Sequence, residues 1–211
     1  MIGVLVVDDH AAVRAGLAGL LRSEPGFSCL ATVGSAESGI EAARRTQPAV
    51  VLADYELPDR DGLTLCSELK ALTDAPGVIM YSAFARPRLL PAAAVAGADA
   101  MIDKGAPAEQ LFEALRVVAR GGSLLPTPPP EVMERSYALL DTAEIVLFGM
   151  AVNGAPPDEI AAVAGDDPDD IRRQLRALLE RLQAISTELA SPSTDSRGGA
   201  DRPPASGLSP R

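Results

Sequence analysis

The sequence predicts an α/β protein: a doubly wound, five-stranded parallel sheet joined to a second, small, all-α domain. Three observations predict it. Short apolar runs without polar alternation recur through residues 1–121, as strands buried on both faces require. Segments of helical period lie between them. Past a proline-dense stretch at residues 123–130, the pattern is helical alone.

Ile2–Val7 is apolar and largely β-branched, a first strand ending at Asp8-Asp9, and Ala11–Arg22 follows with Val13, Leu17, Leu20 and Leu21 at helical spacing. Pro25-Gly26 turns the chain into a second strand, Phe27–Val33. Ser35 is placed to cap a helix running to Arg45, with Glu37 and Glu41 in its early turns. Gln47-Pro48 breaks that helix. The third strand, from Ala49 to Ala53, has no polar residue and stops at Asp54; Leu57-Pro58-Asp59 and Asp61-Gly62 then turn the chain. Leu63–Leu72 is helical, and Val78–Tyr81 forms a fourth strand ending at Ser82. A small-residue helix, Leu89–Ala96, closes at Gly97. Ala100–Ile102 is the fifth strand, ending at Asp103-Lys104, and Pro107–Arg120 is a helix stopped by Gly121-Gly122.

In a doubly wound sheet the carboxyl ends of the strands meet along one edge, where ligands bind. Asp8, Asp9, Asp54, Ser82 and Lys104 all stand at such ends. Three carboxylates brought together repel one another unless a hard cation is bound, and an all-oxygen ligand set suits Mg²⁺. Lys104 adds a second compensating charge and Ser82 a hydroxyl. Such a set can hold a phosphoryl group on one of its carboxylates. Asp54, which ends the central strand, is the natural acceptor.

The segments VDDH (7–10), DYELPDRDG (54–62), YSA (81–83) and AGADAMIDKG (96–105) resemble the receiver domain of two-component response regulators, over essentially all of residues 1–121. The resemblance implies a flavodoxin-like fold and phosphorylation of Asp54 by a sensor histidine kinase. It implies Mg²⁺ held by Asp8, Asp9, Asp54 and the backbone carbonyl of Glu56, with Ser82 and Lys104 contacting the phosphoryl group. One position departs: Met101 stands where the family usually has the aromatic that turns inward on phosphorylation. Phe84 is a candidate partial substitute. His10, the one histidine, reads as a loop polar group starting the first helix.

Residues 122–135 read as a proline-rich linker, with helical pattern returning from Glu131. Asp141-Thr-Ala-Glu144 has the form of a capping box for a helix through Ala151. A short helix, Glu159–Ala164, ends at Gly165. A third starts at Asp167-Pro168 with Ile171, Leu175, Leu178, Leu179 and Leu182 on its inner face. Two short helices and a long one, tightly joined, form a helix-turn-helix pattern. Residues 140–184 resemble the output domain of the family typified by LuxR and NarL, through Leu140, Glu144, Gly154, Glu159-Ile160-Ala161, Ile171, Arg172, Leu178, Arg181 and Leu182. The resemblance implies an output domain at 136–190, DNA contacts from Arg172, Arg173, Gln174 and Arg176, and homodimerisation on phosphorylation. Asp158, Asp170 and Gln174 replace the lysine, threonine and histidine usual there. The family's short dimerising fourth helix has only a weak counterpart after Leu182, and residues 191–211 have the composition of a disordered tail.

Charge sharpens the question. The chain carries net −10, which opposes loose attraction to nucleic acid. Residues 1–121 hold 11 basic and 15 acidic side chains, net −4; residues 122–211 hold 8 and 14, net −6. The half that should meet DNA is the more acidic one. The expected function is therefore a response regulator acting on transcription. The alternative is a phosphorylation-dependent protein-interaction switch whose output domain no longer binds DNA. No enzymatic activity beyond phosphoryl transfer to Asp54 and its hydrolysis is expected. No apolar run approaches the roughly 20 residues of a membrane span, and MIGVLVVDDH lacks the basic start of a secretion signal; a cytoplasmic protein without membrane partners is expected. Cys29 and Cys66 read as reduced thiols without motif spacing.

Overall fold

The computed structural model describes residues 1–83 and 87–188, with side chains as far as Gln183. Phe84 and the tail at 191–211 lie outside the described residues. The first half alternates β1 (Ile2–Val7), α1 (Ala11–Ser23), β2 (Phe27–Val33), α2 (Ala36–Thr46), β3 (Val50–Ala53), α3 (Gly62–Lys70), β4 (Gly77–Ser82), α4 (Leu90–Val95), β5 (Ala100–Asp103) and α5 (Ala108–Val118). A single turn of 3-10 helix, Pro87–Leu89, precedes α4. The helical half consists of α6 (Pro130–Tyr137), α7 (Thr142–Val152), α8 (Pro157–Ala164) and α9 (Pro168–Glu188).

The sheet is wholly parallel, in the order β2-β1-β3-β4-β5. Alternate residues of the unbroken apolar strands serve opposite faces. Val4, Val6, Val50, Leu52 and Ile79 pack with Leu17 and Leu21 of α1 and Leu111 and Leu115 of α5. Leu5, Val7, Val51, Ala53, Val78 and Met80 pack on the other side with α2, α3 and α4. Register then sets the site. Val7 pairs with Ala53, so Asp8 and Asp54 leave the sheet side by side, and Asp54 N donates to Val7 O at 2.8 Å. Ser82 pairs with Asp103, which brings Lys104 to the same edge.

Helix returns at the end of the proline-dense stretch, within a residue of the expected Glu131, so the linker is shorter than the 122–135 expected. Helix α6 begins at Pro130, where the missing N–H is harmless in a first turn, and it takes up part of the expected linker. Leu125 and Met133 pack on the same apolar cluster as the sheet's α2–α4 face. Among the described residues no separate fourth helix follows: the chain after Leu182 continues α9 to Glu188. Helix α4 packs against α6, α7 and α9. Its LPAAAV sequence is buried at Leu90, Ala92, Ala93 and Val95, and small side chains let neighbouring helices approach closely. Gln183 Nε2 of α9 donates to Asp61 Oδ1 at 2.6 Å, joining the two halves beside the β3–α3 loop.

That loop is held by backbone contact. Gly62 N donates to Tyr55 O at 2.8 Å, and a Cβ on Gly62 would lie 2.0 Å from Asp54 O. Glycine is therefore required by space. Although alanine is the better helix former, Gly62→Ala should lower unfolding free energy by about 1–3 kcal/mol. Urea unfolding followed by circular dichroism measures it, and a stability equal to wild type would contradict the contact.

Candidate functional site at the carboxyl edge of the sheet

Two carboxylates are buried at this edge, Asp8 at 2% and Asp54 at 5% exposure. Isolated charges are rarely tolerated at such depth. Lys104 answers both: its Nζ lies 2.7 Å from Asp54 Oδ2, to which it donates a hydrogen bond, and 2.7 Å from Asp8 Oδ2. Toward Asp8 the alignment is poor. Oδ2 of Asp8 accepts no hydrogen bond of good geometry and is held by charge. Burial works against the Lys104 ammonium, but its contacts with Asp54 and Asp8 prevail and raise its pKa above the ordinary lysine value. Lysine is therefore a fixed cation here. Its backbone is placed from β4: Lys104 N donates to Ser82 O at 3.2 Å, and Tyr81 Oη donates to Lys104 O at 3.3 Å.

The other oxygens of the pair are oriented by the chain that carries them. Asp54 Oδ1 accepts from Tyr55 N at 2.7 Å, and Asp8 Oδ1 from His10 N at 2.8 Å. Arg14 Nη1 donates to Asp8 O at 2.6 Å. Asp9 is more open, and its Oδ1 sits 2.5 Å from His10 Nδ1. Ligand atoms of Asp8, Asp9, His10 and Asp54 all lie within 4.8 Å of one another. A buried, poorly bonded Asp8 oxygen beside two further carboxylates is a donor set that fits a hard cation. Glu56 is exposed in the loop after Asp54, and Ser82 is buried at the end of β4.

A family model for the response regulator receiver domain matches residues 4–116. The chain belongs to the response regulator family. It is 32% identical over 190 residues to the Escherichia coli transcriptional regulatory protein UhpA, covering 86% of this chain and 92% of that one. It is 27% identical to the Bacillus subtilis transcriptional regulatory protein DesR, covering 87% and 91%. A match at 33% identity to protein-glutamate methylesterase/protein-glutamine glutaminase 5 of Anaeromyxobacter dehalogenans spans only 52% of that longer protein. Among solved structures, Salmonella enterica RcsB, bound to a promoter with a phosphomimetic, superposes with TM-score 0.56 at 20% identity, over 86% of this chain and 91% of that one. A LuxR-family regulator from Aurantimonas gives TM-score 0.56 at 24% identity, over 64% and 97%. The fold of such regulators therefore extends through both halves of this response regulator.

Sequence reasoning found Asp8, Asp9, Asp54 and Lys104, and the fold brings them together. It gave His10 only a local role; the side chain reaches Asp9, a neighbour whose proximity was visible but whose direction was not. It also missed Tyr81, because an aromatic at the end of a buried strand reads as core. Met101 is partly buried, packed on the α4 side of the sheet, whereas Tyr81 packs on the α5 side. Tyr81 is thus no positional replacement for the missing switch aromatic. Of the predicted DNA contacts, Arg173, Gln174 and Arg176 are exposed on α9 and Arg172 is partly so. Arg172 pairs with Asp158 and with Asp169, each at 2.7 Å, Arg173 with Asp170, and Arg181 with Glu144. No described helix is long and apolar enough to cross a membrane.

Asp59, another residue of the loop, caps α2 from outside: Ala36 N and Glu37 N donate to its two oxygens at 2.9 Å each. Partial burial alone would raise its pKa, but these hydrogen bonds, aided by Arg60, hold it below the usual carboxylate value. A depressed folded pKa means stabilisation present above the unfolded pKa and lost as pH falls through the folded one. Asp59→Ala should therefore lower the melting temperature at neutral pH, with the gap to wild type closing in acid below the ordinary aspartate range. Thermal scans across that interval check this; a gap independent of pH would show that the carboxylate charge plays no part.

Proposed function

We propose that this response regulator accepts a phosphoryl group on Asp54 from a sensor histidine kinase and controls transcription through its helical half. The observation that carries the first part is Lys104 Nζ standing 2.7 Å from both Asp54 and Asp8. In this reading Asp54 attacks a phosphoryl donor through a carboxylate oxygen, and the donor's leaving group departs as the acyl phosphate forms. Lys104 and Ser82 then face the new phosphoryl oxygens. Asp8, Asp9, Asp54 and the Glu56 carbonyl would hold Mg²⁺, whose bound charge would offset the crowded carboxylates and the arriving phosphate. Hydrolysis of the acyl phosphate resets the site.

Incubation with acetyl phosphate and Mg²⁺ should add one phosphoryl group to the chain, read as one added mass of HPO₃ by intact-protein mass spectrometry. The adduct should be absent from Asp54→Asn and markedly reduced in Asp9→Ala, which removes a metal ligand. A persistent adduct on Asp54→Asn would assign the acceptor elsewhere.

DNA is the proposed target of the helical half, with Arg172, Arg173, Gln174 and Arg176 as contacts. Support comes from the shared fold, from UhpA being a transcriptional regulator, and from the exposure of Arg173, Gln174 and Arg176 on α9. Homodimerisation on phosphorylation belongs to the same reading. A second reading is favoured by one observation: Arg172 and Arg173 are already engaged by carboxylates of this chain. Exposed pairs contribute about 0–1 kcal/mol each, so a phosphate can displace them, but the carboxylates stay nearby to repel it. If that repulsion prevails, the protein is a phosphorylation-dependent protein-interaction switch.

A binding titration of the phosphorylated protein on its own promoter region, at two salt concentrations, separates the two. Replacing Arg172 and Arg173 with alanine should weaken binding and flatten its log–log salt dependence by about one unit for each DNA phosphate no longer neutralised. Asp169→Asn with Asp170→Thr should strengthen it. Absence of wild-type binding at low salt, together with binding by the latter variant, would establish a helix-turn-helix disarmed by its own charges.

A further inference from the structure

We propose that the α7–α8 face is a docking groove for a basic amphipathic helix of another protein. The residues lining this groove include neither the phosphoacceptor edge nor the arginines of α9.

Helix α7, TAEIVLFGMAV, is apolar on nearly every side, a pattern that belongs to a helix covered all round. Only Leu147, Phe148 and Ala151 are buried, against α4 and the rest of the helical half. Val146 is 62% exposed and Ile145 38%. Beside them runs a groove of about 480 Å³, lined chiefly by Ile145, Val146, Gly149, Met150, Gly154 and Glu159. Nothing lies within 4 Å of where a Cβ on Gly149 would stand, so the groove is open along α7 and able to admit a side chain.

Charge identifies the occupant. Between Arg135 and Arg172 the chain contains no lysine, arginine or histidine but eight carboxylates. Four of the eight are matched by arginines: Glu144 by Arg181, Asp158 and Asp169 by Arg172, and Asp170 by Arg173. Glu159, in the groove wall, forms no ion pair among the described residues. Among the described residues the groove is thus apolar within, and the one charged side chain on its border is a carboxylate. Nucleic acid and anionic membranes are repelled by such a border. A second copy of this chain fits poorly, because its arginine-rich helix, α9, has Leu175, Leu178, Leu179 and Leu182 buried. A helix offering leucines along one stripe, flanked by lysine or arginine, complements both the groove and its rim.

The test uses the full chain and three fluorescent 14-residue peptides made only of leucine with lysine or glutamate. One has leucines on one helical face and lysines on the other, one replaces lysine by glutamate, and one scatters the same leucines and lysines around the helix. Fluorescence anisotropy should show the lysine amphipath binding at least about tenfold tighter than either control. Val146→Glu, at an exposed position that leaves the circular dichroism spectrum intact, should weaken it about fivefold or more although it adds negative charge. Glu159→Lys should weaken it about threefold. Equal binding by the scattered peptide, or unchanged or tighter binding to Val146→Glu, would mean attraction by net charge alone and overturn the proposal. So would concentration-dependent self-association abolished by Val146→Glu, which would make the groove a contact between copies of this chain.

Discussion

The receiver half depends on the triangle of Asp8, Asp54 and Lys104. Two carboxylates almost out of water repel each other strongly at low local dielectric, and one ammonium 2.7 Å from each makes their burial tolerable. The requirement propagates. Lys104 can reach both acids only if β5 ends beside β4, where Ser82 O and Tyr81 Oη hold its backbone. Asp8 and Asp54 can be adjacent only if β1 and β3 are neighbours in register, although α1, β2 and α2 separate them in sequence. Strand order and site are thus two consequences of one arrangement.

Around that triangle the β3–α3 loop is unusually tied. Asp59 caps α2, and Asp61 caps α3 through Leu63 N and Thr64 N at 3.0 Å each. Asp61 also accepts from Gln183 of α9, while Gly62 presses against Asp54 O. The loop that follows Asp54 is therefore bonded to three helices. The hydrogen bond to α9 ties this loop directly to the helical half. The alanine-rich α4 provides the broader apolar seat on which α6, α7 and α9 rest.

The helical half combines a regulator fold with a charge distribution that works against phosphate. Its carboxylates have structural roles. The Asp141–Glu144 box closes the start of α7 with two 2.9 Å hydrogen bonds, and Asp169 and Asp170 sit favourably at the positive end of α9. The same groups engage the arginines that a nucleic acid would need. Helix stability and phosphate recognition thus compete for the first turn of α9, and the apolar, acid-bordered face of α7 and α8 points to recognition of protein.

Much was determined by the sequence alone, wherever the information is local. Apolar runs of strand length, Ser35 and Asp141 as caps, and Gly165 as the left-handed end of α8 (φ 74°) appear where propensity and capping chemistry place them. The acidic pair, Asp54 and Lys104 were legible because strand ends in a doubly wound sheet share one edge. Tertiary structure decided what depends on direction and on distant neighbours. The return of helix at Glu131 was legible to within one residue of the start of α6, but not that α6 would pack on α4, since that follows from the apolar surface α4 presents. Nor could spacing show His10 turning to Asp9, Tyr81 facing the opposite side of the sheet from Met101, or Gln183 reaching Asp61 across 122 residues. Arg172 and Arg173 read as a free basic stripe because residue type carries charge; only the packing of α8 against α9 brought Asp158 to Arg172.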